Sequence, residues 1–186
     1  IGDVHGKINS YQKTIAGIDQ SIQLGDFGFK KEHDWHHENV DHRRHRIVFG
    51  NHDYYPYLDK PYSFGNWSYD QGIFTIRGAN SIDKQWRTEG VDWFRNEELE
   101  YAESLEVWDA WDKHKPEIVV THDAPAQIVT RFFGYANYSF TQRFLDSLWY
   151  VHQPLLWVFG HHHQNKDEAI YGTRFICLGE LETFKL

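Results

Sequence analysis

The chain has 186 residues, a formal net charge of −8 and a single cysteine, Cys177. A chain of this length is expected to form one domain over residues 1–186, with a core that needs no disulfide or structural metal. One cysteine excludes an intrachain disulfide and is typical of a reducing compartment. The negative charge argues against a general nucleic-acid-binding surface, so nucleic acid is expected only as a substrate.

No apolar run approaches the roughly 20 residues that a membrane-spanning helix needs, and no secretory leader is visible. The sequence therefore predicts a soluble, cytoplasmic protein with no membrane partner. It predicts no oligomeric state. The chain has no initiator methionine and begins inside an apparent strand. We therefore expect that a few N-terminal residues are missing, and a removed leader is compatible with the sequence.

Helical and extended patterns alternate along the chain. Apolar residues spaced three and four positions apart predict an amphipathic helix over residues 8–18. The later predictions, in chain order, are strands 21–24, 46–49 and 73–76, helix 96–114, strand 117–121, helix 138–152, and strands 154–159, 168–171 and 174–178. This alternation predicts an α/β layered fold in which loops that carry ligands gather at the carboxyl ends of the strands.

Two connecting segments are less regular. Residues 30–46 are polar and rich in histidine. The histidines are His33, His36, His37, His42 and His45. We favour a solvated helix here, and the alternative is a role in metal or substrate binding. Residues 54–72 contain two prolines and are predicted to be a loop. We expect this loop and residues 79–93 to determine substrate specificity.

Five strand ends carry side chains of the kinds that bind metal ions. Four share an apolar run, then a glycine, then Asp, Asn or His, and the fifth lacks the glycine. The segments are Gly2-Asp3-Val4-His5-Gly6, Gly25-Asp26, Gly50-Asn51-His52-Asp53, Thr121-His122-Asp123 and Gly160-His161-His162-His163. Because strand ends meet at one edge of such a fold, the pattern predicts a single site assembled from distant parts of the chain.

Each segment also has a structural interpretation. If residues after Gly160 continue a strand, His161 and His163 point to one side and His162 to the other, and the alternative is a solvated loop. Asp26 is a buried carboxylate that needs a partner, for which a metal is the strongest candidate. The alternative for Asp26, as for the Asp3 segment, is a turn or a helix cap.

The segment Gly50-Asn51-His52-Asp53 is the most specific single signal. Asn51 offers a carbonyl oxygen that suits a hard or borderline dication already held by carboxylates. His52 can transfer protons, and Asp53 can orient a neighbouring group. A turn that happens to contain these residues is the alternative.

In this order the five segments resemble the calcineurin-like metallophosphoesterase superfamily, particularly its small bacterial and phage members. The resemblance covers nearly the whole chain, from Gly2 to His163. It implies a four-layer αββα sandwich of two mixed sheets flanked by helices, with a dinuclear metal centre. The implied ligands of one metal are Asp3, His5, Asp26 and His163. Those of the other are Asp26, Asn51, His122 and His161, with Asp26 bridging.

The resemblance also implies an activity. A dinuclear-metal-dependent phosphoesterase would hydrolyse phosphomonoesters or phosphodiesters by attack of a metal-bridging hydroxide. His52 and Asp53 are the implied catalytic residues, and His52 stabilises the phosphoryl group or protonates the leaving oxygen. Asp53 and Asp123 are expected to orient imidazoles, and the alternative is that both are simple turn aspartates. The expected cofactors are two divalent ions, Mn²⁺ first and Fe, Zn or Ni as alternatives. The expected substrate is a phosphorylated small molecule or nucleotide.

One departure from the family pattern concerns the phosphate. Protein phosphatases and diadenosine tetraphosphate hydrolases of this family continue the second motif as Asp-Arg-Gly, whereas this chain has Asp26-Phe27-Gly28-Phe29. The positive charge must then come from elsewhere, and Lys84 and Arg87 are candidates, with surface solvation as the alternative. A metal-dependent nuclease and a non-catalytic metal-binding scaffold are alternative functions. The retained His52 argues against the scaffold.

Overall fold

The computed structural model describes residues 1–29, 31 and 34–186. His33, one of the five histidines considered above, lies outside the described residues. The helices are α1 (Ile8–Ile15), α2 (Trp35–Asn39), α3 (Tyr101–His114), α4 (Ala126–Phe133) and α5 (Phe140–Val151). The strands are β1 (Ser21–Gln23), β2 (His45–Ile47), β3 (Trp67–Asp70), β4 (Ile73–Ile76), β5 (Ile118–Thr121), β6 (Leu156–Phe159), β7 (Lys166–Ile170) and β8 (Thr173–Cys177). Short 3₁₀ helices occur at Tyr55–Tyr57 and Lys84–Trp86.

Six strands form one sheet in the order β3-β4-β5-β6-β8-β7. Its four inner strands run parallel, and the outer strands β3 and β7 pair antiparallel with β4 and β8. β1 and β2 form a second sheet and are parallel to each other. The prediction of two sheets flanked by helices is confirmed. Within the described part of the chain, only the larger sheet is mixed.

Alternate residues of the inner strands face opposite sides of the larger sheet. Those that pack against α3, α4 and α5 are Val119, Trp157 and Phe175. Those that pack toward the smaller sheet, against Leu24 and Val48, are Val120, Val158 and Ile176. A third buried cluster lies beyond the smaller sheet, where Tyr11 of α1 meets Phe27 and Phe49. The two central strands, β5 and β6, are almost entirely apolar because both of their faces are covered.

The prediction of a loop over residues 54–72 is wrong at its end, because β3 pairs with β4 in a hairpin. Gln71 and Gly72 form the turn with φ angles of 49° and 80°. The same geometry recurs between β7 and β8, where Tyr171 and Gly172 have φ angles of 47° and 88°. Two positive φ angles suit the right-handed twist of the flanking strands, and glycine adopts the second of them without steric strain.

Two helices differ from the sequence predictions. α3 begins at Tyr101 rather than near residue 96, because the backbone N–H of Glu100 donates a 2.7 Å hydrogen bond to Glu103 Oε2 and closes the first turn. α4 was not predicted. It follows Pro125 and ends at Gly134, which has a φ of 80°, a pairing typical of helix boundaries.

The histidine-rich segment is only partly solvated. Its described residues contain the five-residue helix α2 and then β2. His36 and His45 are buried, so the solvated interpretation is wrong for these two. His36 lies among the rings of Tyr11, Phe27 and Tyr62. Burial lowers its pKa to about 3, since a charged imidazole is poorly solvated there.

A cavity of about 940 Å³ opens between the two sheets. Its lining includes Ser21 and Ile73, the first residues of β1 and β4, and none of the candidate site residues. None of the helices in the described ranges is long and apolar enough to cross a bilayer. The cellular compartment and the single-domain organisation stay predictions.

Candidate metal centre

The candidate ligands meet where strands of both sheets end. The loops after β1 and β2 bring Asp26 and Asn51, and the loops after β5 and β6 bring His122 and the histidines at 161 and 163. The N-terminal segment carries Asp3 and runs beside β1, since Leu24 N–H donates to the Ile1 carbonyl at 2.9 Å. Parallel strands that point the same way place these loops around one cleft.

One group of potential ligands consists of Asp3, His5, Asp26 and His163, whose ligand atoms all lie within 4.8 Å of one another. The Nε2 atoms of His5 and His163 are 2.8 Å apart. Asp3 Oδ2 lies 3.1 Å from His163 Nε2 and 3.7 Å from His5 Nε2. This oxygen is buried and accepts no hydrogen bond from the residues that the structure describes. A buried oxygen beside two imidazole nitrogens fits a cation.

A second group consists of Asp26, His122 and His161, again within 4.8 Å. His122 Nδ1 is 2.6 Å from the Leu24 carbonyl oxygen, and must donate because a carbonyl only accepts. The Nε2 of neutral His122 therefore carries a lone pair. It lies 3.1 Å from Asn51 Oδ1 and 3.4 Å from Asp26 Oδ1. With Asp26 ionised, these are three acceptor atoms that face one another, an arrangement that also fits a cation.

Asp26 belongs to both groups and is almost fully buried. Burial raises its pKa well above the usual range, and the nearby carboxylates of Asp3 and Asp53 raise it further. The backbone N–H of His52 donates to Asp26 Oδ1 at 2.8 Å. One donor cannot replace the lost hydration of a carboxylate, and it is the hydrogen bond that the described residues make to this side chain. Cations on either side would supply the missing stabilisation.

Four of the potential ligands have strained backbones. His5, Asp26, His161 and His163 have φ angles of 48°, 53°, 64° and 52°. Such a conformation costs a non-glycine residue about 1–3 kcal/mol and persists only where the surroundings enforce it. Four of the nine non-glycine residues with positive φ angles in the described part of the chain are thus potential ligands.

The glycines before the ligands make room for ligand side chains. A Cβ atom on Gly50 would overlap Asp26 Oδ1 and lie 2.5 Å from the Asp26 backbone nitrogen. A Cβ on Gly160 would overlap Asp3 Oδ1. The recurring glycine therefore reflects close approach between segments that are distant in sequence.

The histidine triplet does not continue a strand. β6 ends at Phe159, and the positive φ angles of His161 and His163 turn the chain. His161 reaches the second ligand group and His163 the first, so the two imidazoles do not share one side as a strand would place them. His162 points away from both ligand groups, as expected. Its Nε2 is 3.2 Å from Asp123 Oδ1, and its ring stacks on Phe133.

The two aspartates that follow candidate residues have different contacts. Asp53 accepts hydrogen bonds from the backbone N–H groups of Asp26, Gly28 and Gly50 at 2.8–3.2 Å, rather than from an imidazole. It thereby joins the loops after β1 and β2, and burial raises its pKa to about 7. Burial would also raise the pKa of Asp123, but His161 and His162 beside it lower that pKa to about 2.

His52 lies beside a cation of the protein itself. Its Nε2 is 3.3 Å from Arg87 Nη2 and 3.2 Å from Asn51 Nδ2, both of which are donors. Burial, followed by the charge of Arg87, lowers the pKa of His52 to about 4. Asp83 holds the guanidinium of Arg87 through two hydrogen bonds of 2.8 and 2.7 Å. Of the two basic candidates, Arg87 is therefore beside His52, whereas Lys84 is exposed.

Two residues close to this site, Ser81 and Glu97, were not predicted from the sequence. Ser81 Oγ accepts a hydrogen bond from Asn51 Nδ2 at 2.9 Å, and Glu97 in turn accepts from Ser81. The available signal was the position of Ser81, five residues after β4 and thus near another strand end. Nothing in the sequence indicated Glu97.

Comparisons with known proteins identify the family and the fold. Residues 1–165 match the family model described as calcineurin-like phosphoesterase. Among solved structures, the protein TT1561 of Thermus thermophilus is similar with a TM-score of 0.54 and 12% identity, over 97% of this chain and 87% of that one. The phosphopantetheinyl hydrolase PptH from Mycobacterium tuberculosis is similar with a TM-score of 0.50 and 16% identity, over 97% and 88%. At these identities the likeness shows the fold alone. No curated protein matches the chain significantly.

Proposed function

Because the chain belongs to the calcineurin-like phosphoesterase family, we propose that it hydrolyses phosphomonoesters or phosphodiesters with two bound divalent cations. The family supports a metal-dependent phosphoester hydrolase in general. The observation that carries the dinuclear proposal is the position of Asp26, a buried carboxylate shared by two groups of lone-pair donors. A shared carboxylate is what a pair of adjacent dications requires.

The chain offers one set of ligands for each cation. Asp3, His5, Asp26 and His163 would hold the first. Asp26, His122 and His161 would hold the second, together with the Asn51 oxygen beside His122 Nε2. When bound, the two ions supply a water of lowered pKa as nucleophile and neutralise charge on the phosphate oxygens. We propose Mn²⁺ first, although this mixture of nitrogen and oxygen donors also accepts Fe, Zn or Ni.

We further propose that Arg87 binds the substrate phosphate. The hydrogen bond from Arg87 Nη2 to His52 is long, at 3.3 Å. The same N–H group can donate to a phosphate oxygen instead. The two bonds to Asp83 keep the guanidinium in place while this happens. Arg87 would thus replace the arginine that the segment after Asp26 lacks. His52, between Arg87 and Asn51, would contact the phosphoryl or leaving oxygen.

The proposal is tested by hydrolysis after metal removal. Chelated protein reconstituted with Mn²⁺ is expected to hydrolyse an aryl phosphate or its diester, and Asp26→Asn is expected to abolish the activity. Asp109→Asn, the same change at an exposed position of α3, is the matched control and should retain activity. Failure of the reconstituted protein on both esters, or full activity of Asp26→Asn, contradicts the proposal.

A substrate panel then separates the alternatives. It includes single-stranded DNA, whose selective cleavage would indicate the nuclease. Metal binding without hydrolysis of any member would indicate the scaffold. A phosphopantetheinyl ester belongs in the panel because PptH is a phosphopantetheinyl hydrolase.

A further inference from the structure

A chain of buried hydrogen bonds runs from Glu97 through Ser81 to Asn51. Glu97 Oε1 accepts from the Ser81 backbone N–H at 2.8 Å, and Glu97 Oε2 accepts from Ser81 Oγ at 2.6 Å. Ser81 Oγ lies 2.9 Å from Asn51 Nδ2. Glu97 and Ser81 are only 2% and 1% exposed, so water does not compete for these bonds.

The chemistry of the three side chains gives the chain a direction. Burial raises the pKa of Glu97, and the two hydrogen bonds from Ser81 lower it. An ionised Glu97 has no proton to donate, so the Ser81 hydroxyl must donate to it. With its only hydrogen used, Ser81 Oγ can accept but not donate. Asn51 must therefore present its NH₂ group to Ser81, and this places the other end of the amide, Oδ1, 3.1 Å from His122 Nε2.

We propose that Glu97 and Ser81 are positioning residues that orient the Asn51 amide, so that its carbonyl oxygen and not its NH₂ group faces the second cation. This inference rests on the proposed function, because the cation is what Asn51 Oδ1 would serve. An NH₂ group in that place offers no lone pair and would point hydrogens at a positive ion. Glu97 and Ser81 would act on the cation only through Asn51.

The segment around Glu97 is held by other contacts as well. The Glu97 carbonyl oxygen accepts from the Tyr55 hydroxyl at 2.8 Å, and the Asn96 carbonyl accepts from Arg77 Nη1 at 2.7 Å. These bonds use the backbone and not the Glu97 carboxylate. A change of the carboxylate can therefore alter Asn51 without releasing the segment.

Two variants test the direction of the chain. In Glu97→Gln the new amide can donate to Ser81 Oγ, which frees the Ser81 hydroxyl to donate to Asn51 and lets the Asn51 amide reverse. In Ser81→Ala the shorter of the two hydrogen bonds of Asn51 Nδ2 is removed, and the 3.2 Å contact with His52 Nε2 remains. Residues that orient metal ligands typically contribute about 10–100-fold in metal affinity. We expect either variant to raise one of the two Mn²⁺ dissociation constants by about tenfold or more and to leave the other unchanged.

The measurement is calorimetric titration of the metal-free protein with Mn²⁺, accompanied by thermal unfolding in chelator. Glu98→Gln is the matched control, because the Glu98 carboxylate accepts from Asn80 and the Thr141 backbone rather than from Ser81. Its two dissociation constants should equal those of the wild type.

The outcomes distinguish this inference from the proposed function. A wild-type protein that binds fewer than two Mn²⁺ ions contradicts the proposed dinuclear centre, and with it the inference. If the wild type binds two ions and hydrolyses phosphoesters while a folded Glu97→Gln or Ser81→Ala protein has both wild-type affinities, the inference alone is wrong. If Glu97→Gln is less stable in chelator but keeps both wild-type Mn²⁺ affinities, Glu97 has only a structural role and the inference is likewise wrong.

Discussion

His122 and Leu24 are joined between the two sheets by a 2.6 Å hydrogen bond from the imidazole Nδ1 to the backbone carbonyl oxygen. The bond connects the end of β5 to the end of β1, two residues before Asp26. It also selects the tautomer of His122, since the proton on Nδ1 leaves Nε2 with its lone pair. One hydrogen bond thus both places a candidate ligand and prepares it for a cation.

Replacement of His122 by alanine is expected to remove one of two bound Mn²⁺ ions per chain. The oxygens of Asp26 and Asn51 would remain, without the neutral imidazole nitrogen that lies beside both of them. We expect kcat/KM to fall by on the order of 100-fold or more, beyond the loss usual for residues that only orient ligands. Elemental analysis of the reconstituted protein measures the metal content. The exposed His37, replaced in the same way, should leave both quantities unchanged.

Arg87→Ala is expected to weaken substrate binding. Loss of the guanidinium removes a charged hydrogen-bond donor, and such bonds contribute roughly 1.5–3 kcal/mol, so kcat/KM should fall about 10- to 100-fold. Much of the change should be in KM, and Arg87→Lys should restore only part of it because lysine cannot keep both bonds to Asp83. Steady-state kinetics on an aryl phosphate measure this. Arg95→Ala is the control, since Arg95 pairs with Glu89 on the exposed surface. Equal kinetics of Arg87→Ala and wild type would contradict the assignment.

Gly50→Ala is expected to disturb the candidate centre, because the added Cβ meets Asp26 at both its backbone nitrogen and its carboxylate. Overpacking of this kind costs about 1–3 kcal/mol, and Mn²⁺ affinity should fall as well because Asp26 must move. Chemical denaturation and metal titration measure the two effects. At Gly179 the nearest atom to an added Cβ is Asn165 Oδ1 at 3.3 Å. Gly179→Ala should therefore have a smaller effect on both, and an equal effect would show that the close approach at Gly50 is unimportant.

The buried His36 is expected to limit stability in acid. Its pKa is about 3 in the folded protein, whereas the usual pKa of histidine is 6.5. Between these values the unfolded chain binds the proton and the folded chain does not, so the free energy of unfolding falls as the pH is lowered below about 6.5. At pH 5 this one group costs about 2 kcal/mol.

His36→Phe is expected to remove that part of the pH dependence, because a phenyl ring among aromatic neighbours carries no ionisable group. The measurement is the free energy of unfolding at pH 7 and pH 5, compared with wild type. His37→Phe, on the exposed side of the same helix, should retain the wild-type difference between the two pH values. If His36→Phe also retains the wild-type difference, His36 is not the source of this pH dependence.

The sequence was sufficient to predict a candidate ligand where one short segment contains both the ligand and the strand before it. Asp26, Asn51 and His122 each follow a strand within a few residues, so their chemistry and their place at a strand end could be read together. The strands β5 and β6 were predicted for the same reason. The β3–β4 hairpin was not predicted although its Gln71-Gly72 turn is also a local signal, because the prolines in residues 54–72 favoured a loop.

Contacts between distant segments could not be read in this way. Ser81 and Glu97 are 16 residues apart, and Ser81 is 30 residues from Asn51, yet the three form one chain of hydrogen bonds. Arg87 was one of two basic candidates, and only the folded chain places its Nη2 beside His52, which is 35 residues away in sequence. His36 lies in a polar segment whose composition is typical of a solvated helix, and it is nevertheless buried.

The sequence by itself determined the layered fold and the identity of the candidate ligands, because period, apolar runs and strand-end side chains are properties of short segments. The family resemblance already implied how the ligands divide into two groups around Asp26. Only the tertiary structure decided which basic residue stands beside His52 and which buried side chains contact Asn51. The physical reason is that hydrogen bonding and burial depend on atoms brought within a few ångströms by the packing of both sheets, and no local pattern encodes those distances.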